Sequence, residues 1–134
     1  MSEYDIDDRV PTPAEHRALM AAVGWEDHID DDVRGRSLDG SLRGAVATFD
    51  GTAVGMARLV GDGAHYFYVQ DVVVHPDHAD SGLGSQLTQR LLDWINSTVG
   101  SGAFVGLFAS PEAEGLYESL GFVTADMTGM HRAS

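Results

Sequence analysis

The sequence predicts a single mixed α/β domain that spans residues 1–134. Phe67–Val74 is an apolar run of β-branched and aromatic residues, which is typical of a buried central strand. A helix follows it, because apolar residues recur there every four positions, at Leu83, Leu87, Leu91 and Ile95. Ala103–Ala109 is a second apolar run, suited to a buried strand parallel to the first. Strand, crossover helix and parallel strand, after an antiparallel meander, make a mixed sheet.

The N-terminal third predicts one short strand and two helices. Tyr4–Val10 is a candidate first strand, which the following prolines end. Thr12 is a candidate N-cap, and Glu15 stands at the capping-box position three residues later. We therefore expect a helix over Pro13–Val23, and a short second helix over Val33–Leu38.

The middle of the chain predicts the antiparallel meander. Arg43–Phe49 and Thr52–Val60 are strand-like runs, joined by Asp50-Gly51. An Asp-Gly pair between two such runs is among the strongest short-range hairpin signals. Gly61-Asp62-Gly63 then turns the chain into the central strand, so that three strands pair in sequence order.

The C-terminal part predicts one helix and a final pair of short strands. Ser110 is a candidate N-cap with Pro111 at the first helical position, and the helix ends at Gly121. Phe122–Ala125 and Met127–His131 are candidate strands that would close the sheet.

The junction between the central strand and the long helix is a candidate anion site. Gly82-Leu83-Gly84 lies where the helix begins, and the unpaired N–H groups of a helix start bind phosphate. Two familiar phosphate loops are excluded, because the chain has no lysine for a P-loop and Gly84 is not followed by x-x-Gly. On these residues alone, a tight turn without a ligand is an equal alternative.

Two stretches resemble signatures of the GNAT superfamily of N-acetyltransferases. Val74–Gly84 is similar to its motif A, V-x-P-x-x-(Q/R)-G-x-G-x-G, and Leu116–Phe122 is similar to its LYEKLGF signature. The spacing between the two also matches, and the resemblance covers nearly the whole chain. Ala79 stands where Gln or Arg is usual, and Asp80 where glycine is usual.

The resemblance implies the GNAT fold, with two strands splayed apart to admit acetyl-CoA. Val72, Val73 and Val74 would offer backbone groups to its pantetheine arm. The pyrophosphate would rest on backbone N–H groups of Ser81, Gly82, Leu83, Gly84 and Ser85. Asp80 would place a negative charge beside that pyrophosphate.

Tyr117 is the candidate proton donor. A phenol keeps its proton at neutral pH and can pass it to a departing thiolate. In the family, the tyrosine at this position lies near the cofactor sulfur. The alternative is that Tyr117 only packs under the sheet.

Asp71 is the first candidate for a general base, because a bare carboxylate inside an apolar strand needs a partner or a raised pKa. Strand alternation places it on one face with Val73 and His75, and Gln70 on the other face with Val72 and Val74. A salt bridge to Arg58 is an equal alternative, and bulk water could also take the amine proton. His65 and His75 are weaker base candidates. No metal site is expected, since His75-x-x-His78 has no third ligand in sight.

The charge and composition restrict the class of protein. The formal net charge is −13, with 21 acidic residues, eight arginines and no lysine. Such an acid excess predicts an extreme halophile and argues against a nucleic-acid partner. There is no cysteine, signal peptide or membrane-length apolar run, so we expect a cytoplasmic protein without a membrane partner.

The function predicted is acetyl transfer from acetyl-CoA to the primary amine of a small-molecule acceptor. Helices early in the chain wall the acceptor pocket in the family, so Trp25, His28 and Arg34 are candidate acceptor contacts. The alternative is a catalytically silent GNAT-fold module that binds an acyl-CoA or a partner protein, which Ala79 and Asp80 favour. The oligomeric state stays open, a homodimer included.

Overall fold

A computed structural model describes residues 3–25, 28–124 and 126–133. Its centre is one five-stranded sheet in the order β1-β2-β3-β4-β5. The first four strands form an antiparallel meander, and the fifth pairs parallel to β4. This arrangement is the predicted mixed sheet. The strands are β1 Asp5–Asp7, β2 Arg43–Phe49, β3 Thr52–Gly61, β4 Tyr66–Val74 and β5 Phe104–Gly106.

Four α-helices cover the two faces of the sheet. They are α1 Pro13–Ala22, α2 Asp31–Asp39, α3 Leu83–Val99 and α4 Glu114–Ser119. The stripe on α3 packs on one face, where Leu83, Leu87, Leu91 and Ile95 are all at most 2% exposed. Leu19 of α1 packs on the opposite face, against Met56 of β3 and Val73 of β4. Within the described ranges, no helix has both the length and the apolar character needed to cross a bilayer.

The local signals that predicted α1 and the hairpin are confirmed. The Thr12 hydroxyl accepts the backbone N–H of Glu15 at 3.2 Å, and the Glu15 carboxylate accepts the backbone N–H of Thr12 at 2.9 Å. The turn between β2 and β3 is Asp50-Gly51, with φ of 50° and 79°. Positive φ at both positions is the turn geometry that matches the twist of the two strands.

The C-terminal part differs from the prediction in three ways. β5 is three residues long and ends the sheet, so Phe104 and Phe108 are exposed where a buried strand was expected. The helix after Ser110 begins as a 3₁₀ turn, Pro111–Ala113, without a side-chain cap. The final strand pair is wrong for the described residues, 122–124 and 126–133, which form no strand. Ala125 lies outside them.

Candidate active site

β4 is bulged at Asp71, and the bulge decides where its side chains point. Met56 of β3 pairs with Val73, and Arg58 pairs with Gln70, so that two residues of β4 lie opposite one residue of β3. Asp71 has a φ of 55°, in the left-handed region that aspartate tolerates better than most residues. The extra residue shifts the alternation of side chains by one position along the strand.

This bulge corrects the predicted faces of β4. Val72 and Val74 pack against the α3 side and Val73 against the α1 side, as expected. Gln70, however, does not face away from Asp71, because its Nε2 donates to Oδ1 of Asp71 at 2.9 Å. Regular alternation cannot place neighbouring side chains together, whereas a bulge can.

Asp71 is the centre of a buried polar cluster, which we call the Asp71 network. It joins α1 and α2 to β3 and β4. Its members are Asp71, Gln70, Arg58, His16 and Arg34. Oδ2 of Asp71 accepts from Nε2 of His16 and from Nε of Arg58, each at 2.8 Å. Nη1 of Arg34 lies 2.7 Å from Nδ1 of His16. The side chains of His16, Asp71 and Arg34 are each at most 6% exposed.

Arg58 carries the network on to the end of α2. Its Nη1 donates to the carbonyl of Ser37 at 3.3 Å and to the hydroxyl of Ser41 at 3.2 Å. Its Nη2 donates to the Ser37 hydroxyl at 3.2 Å. One guanidinium therefore bridges Asp71 of β4 to the C-terminal end of α2.

The surroundings of Asp71 make it a poor proton acceptor. Burial alone raises the pKa of this carboxyl, but hydrogen bonds from His16, Arg58 and Gln70 outweigh burial and bring the pKa below its ordinary value. A general base works best with a pKa near the operating pH. The geometry thus matches the salt-bridged alternative with Arg58 and disfavours the base role that the strand position suggested.

The pairing between β4 and β5 ends three residues before the bulge at Asp71. Their parallel ladder runs from Tyr66 and Phe104 to Tyr68 and Gly106, and it ends there, although β4 continues to Val74. Among the residues that the structure describes, Val72–Val74 therefore have no strand partner on the β5 side. Backbone groups without a ladder partner are available to an extended ligand laid along that edge.

The loop after β4 is held in place from two directions. His78 accepts from or donates to the Tyr4 hydroxyl at 2.8 Å, and its ring contacts Phe49 at 5.1 Å between centroids. Asp80 has a φ of 66° and Gly82 a φ of 82°. The first of these is the position where the family pattern has glycine, and aspartate satisfies the same left-handed backbone. Asp80 is exposed.

The first backbone N–H groups of α3 have no side-chain cap. Gly82 is its N-cap, has no side chain to accept a hydrogen bond, and leaves the first N–H groups of the helix uncapped. The Ser81 hydroxyl is buried and has no hydrogen-bond partner among the described residues. A Cβ on Gly84 would lie 3.3 Å from Leu116 of α4, so α4 packs close over this helix start. The five predicted pyrophosphate residues, Ser81 to Ser85, are thus together at one uncapped helix end.

Tyr117 follows Leu116 on α4 and is 8% exposed. Burial raises the pKa of its hydroxyl, which keeps the phenol protonated at neutral pH. Its ring meets Phe122 edge-on at 5.9 Å. It lines a cleft of about 680 Å³, whose other walls include Tyr68, Leu92, Phe108, Leu120 and Phe122.

That cleft does not contain all the predicted site residues. Tyr117 and Tyr68 line it, whereas Asp71, Val72–Val74 and the Ser81–Ser85 loop do not. Tyr68 connects the cleft to the Asp71 network, because it lines the cleft and lies near the charge of Asp71. The sequence alone did not point to this residue. Its hydroxyl accepts the backbone N–H of Phe108; burial and the nearby charge of Asp71 raise its pKa.

The candidate acceptor contacts and the weaker base candidates do not form one site. Trp25 and His28 are exposed. Arg34 is 3% exposed and faces His16, so its expected contact with an acceptor does not fit its position. His65 is exposed, and its ring contacts the ring of Tyr66. Nδ1 of His75 accepts the backbone N–H of Asp77 at 3.1 Å. Among the described residues, no group of three His, Asp or Glu could hold a metal ion.

His16 is the member of the network that the sequence did not reveal. A single histidine on a helix 55 residues before its partner carries no local signal. A buried Asp71 needs hydrogen-bond donors, and this requirement suggested Arg58 as a partner but did not suggest His16.

Comparison with known proteins places the chain in a family. The model of the acetyltransferase (GNAT) domain matches residues 41–124, more than half of the chain. The L-amino acid N-acyltransferase of Escherichia coli is 33% identical over 124 residues, covering 84% of this chain and 72% of that protein. Serotonin N-acetyltransferase 2 of Oryza sativa is 32% identical over 108 residues, 78% of this chain.

The structural comparison agrees. A GNAT-family acetyltransferase of Streptococcus pneumoniae superposes with a TM-score of 0.80 at 28% identity, covering 98% of each chain. The chain spans 52% of the length of the rice relative and less of several other curated relatives. The extent of the family match and of the Escherichia coli relative shows that the chain belongs to the GNAT acetyltransferase family.

Proposed function

We propose that this protein transfers an acetyl group from acetyl-CoA to the primary amine of a small-molecule acceptor. The observation that carries the proposal is the place where β4 leaves β5. There, an unpaired strand edge at Val72–Val74 leads into the uncapped start of α3. This arrangement offers an extended edge for a pantetheine-like arm and backbone donors for a pyrophosphate.

The residues present fit acetyl-CoA with one exception. The uncapped N–H groups of Ser81–Ser85 and the partnerless Ser81 hydroxyl suit an anion, and Val72–Val74 suit an amide chain. Asp80 opposes the anion, although it is exposed and its charge is screened by salt. When bound, acetyl-CoA supplies the activated acetyl thioester.

Tyr117 is the residue that we propose to protonate the departing thiolate. Its raised pKa keeps the proton on the hydroxyl until a sulfur of developing negative charge needs it. Asp71 is proposed to shape β4 and not to take the amine proton, because its lowered pKa makes it a weak base. The proton of the amine then passes to solvent.

The acceptor class is supported by the names of the relatives. The relatives from rice and Escherichia coli are named for serotonin and for L-amino acids, both of which are small primary amines. We propose the same class for this chain. The halophilic origin and the cytoplasmic location stay predictions beside it.

The test is a binding and turnover assay in molar salt. Melting curves with and without saturating acetyl-CoA come first, because a ligand of the native state raises the melting temperature. Thiol release is then followed with serotonin, with L-amino acids and with a peptide that has a free N-terminal alanine. A raised melting temperature and release that depends on a small amine support the proposal.

Two other outcomes separate the alternatives. Overlaid melting curves would remove acetyl-CoA from the proposal. A raised melting temperature without thiol release for any amine would favour the silent binding module, for which Asp80 and Ala79 speak.

A further inference from the structure

We propose that His16 is a positioning residue for acyl transfer, which holds the bulge of β4 through its Nε2–H group and ties α2 to that bulge through Nδ1. The inference rests on the proposed function. It concerns a side chain on α1 that contacts Asp71 and Arg34.

The neighbours of His16 determine its tautomer. A guanidinium can only donate hydrogen bonds, so Nδ1 of His16 must accept from Nη1 of Arg34 and carries no proton. A carboxylate can only accept, so Nε2 carries the proton and donates it to Oδ2 of Asp71. The ring is therefore the neutral Nε2–H tautomer, with a different obligatory partner at each nitrogen.

The ring has no freedom to serve as a proton shuttle to solvent. His16 is 4% exposed, and Leu19, one turn further along α1, belongs to the apolar cluster with Met56 and Val73. Its polar partners come from α2 and β4, and Arg58 of β3 shares the same carboxylate oxygen. Its contribution is consequently geometric: it fixes the relative placement of three elements.

The bulge is the part of the site that depends on this placement. Asp71 adopts a left-handed φ, which is unfavourable for a residue with a side chain, and three hydrogen bonds hold it there. Val72, the next residue, is the first of the three residues in the proposed cofactor edge, beyond the end of the β4–β5 ladder at Tyr68. A relaxed bulge would shift the Val72 peptide group within the edge that we propose for the pantetheine arm and its acetyl thioester, whereas the loop that begins α3 makes none of these contacts with Asp71.

Two substitutions separate the two arms of His16. In His16→Gln, the side-chain amide nitrogen extends about as far as Nε2, so the donor to Asp71 is kept. In His16→Asn, the amide extends only about as far as Nδ1, so the contact with Arg34 is kept and Asp71 loses its donor. Each variant is the control of the other, because both remove the imidazole from the same buried position.

We expect the Asp71 arm to govern turnover. With the acceptor saturating and at a temperature where both variants are folded, His16→Gln should keep kcat within about threefold of the wild type. His16→Asn should lower kcat by about tenfold or more, since small misplacements of a reacting group are costly. The KM for acetyl-CoA should change by less than about twofold in both, because the loss falls on the transition state.

Any other pattern overturns the proposal: equal loss in both variants, wild-type kcat in both, or a loss that appears in KM alone. A measurement on the wild-type protein serves if a variant does not fold. Nitrogen NMR of the imidazole should show His16 as the Nε2–H tautomer, and a proton on Nδ1 would sink the idea. If the wild-type protein transfers no acetyl group yet shows this tautomer, the proposed function fails, and the tautomer assignment stands apart from it.

Discussion

Arg58 and Asp71 form a buried ion pair across two adjacent strands, with Nε and Oδ2 2.8 Å apart. The same oxygen accepts from Nε2 of His16, so one donor from β3 and one from α1 converge on one atom. Removing one partner of a buried ion pair leaves the other charge unpaired, which costs more than the pair contributes.

Asp71→Asn should therefore lower the free energy of unfolding by about 3 kcal/mol. The amide has nearly the same shape, but it cannot accept from Arg58 as a carboxylate does. Urea unfolding in molar salt measures the loss. The matched control is Asp93→Asn on the exposed side of α3, where the same chemical change should have little effect. A loss no larger than that of the control would contradict the role of Asp71.

Tyr117→Phe should lower kcat by about a hundredfold, because it removes the proposed proton donor and keeps the ring. The KM for acetyl-CoA should change little, since the lost interaction is made in the transition state. Steady-state thiol release measures both constants. Tyr66→Phe, at an exposed tyrosine, is the control.

The opposite result is equally informative. If Tyr117 only packs under the sheet, the variant keeps its rate and changes the melting temperature alone. An unchanged kcat would withdraw the catalytic assignment.

Asp80→Asn should tighten acetyl-CoA binding about threefold in the lowest salt at which the protein stays folded. One unit charge about 6 Å away in water is worth roughly 0.7 kcal/mol. Asparagine accepts the left-handed backbone of this position, so the loop should keep its shape. Calorimetric titration checks the change, which should shrink in molar salt. Equal affinities at both salt concentrations would show that Asp80 does not face the bound anion.

Glu15→Gln should lower the free energy of unfolding by about 1 kcal/mol at pH 7. Hydrogen bonds from Arg9 are the main reason that the pKa of Glu15 falls to about 2 from its ordinary value of 4.5. Because the pKa of Glu15 is lower in the folded than in the unfolded protein, its carboxylate stabilises the fold above the unfolded pKa. This stabilisation is lost as the pH falls through the folded pKa. The difference between wild type and variant should thus narrow from pH 4.5 towards pH 2.

The glutamine retains the capping box, so the comparison isolates the pair with Arg9. Glu15→Ala removes both interactions and should destabilise further. A difference that stays constant from pH 7 to pH 3 would mean that the Arg9 pair contributes nothing measurable.

Lowering the salt concentration should lower the melting temperature, because the net charge is −13 and the chain has no lysine. Screening acts over about 3 Å in molar salt and about 10 Å at 0.1 M. Melting curves in NaCl and in KCl should agree at equal ionic strength. A melting temperature that is flat from molar salt to dilute buffer would count against a halophilic origin.

The sequence by itself determined the elements whose signals are local. Apolar periodicity located α3, and the Asp50-Gly51 pair located the β2–β3 hairpin. The Thr12 and Glu15 capping box located the start of α1. Each of these signals depends on residues within one turn or one helical repeat, so the interactions involved are between residues close in sequence. The turns also predicted the order of β2, β3 and β4, and the family resemblance implied the same fold and a candidate pyrophosphate loop.

Only the tertiary structure decided the environment of Asp71. The bulge displaces Gln70 to its side, and His16 reaches it from a helix 55 residues earlier. The sequence also predicted a final strand pair, but residues 122–124 and 126–133 contain no strand, and the sheet ends at β5. Burial and hydrogen bonding between distant residues set both the shape of β4 and the pKa of its carboxylate, and no local pattern encodes such contacts.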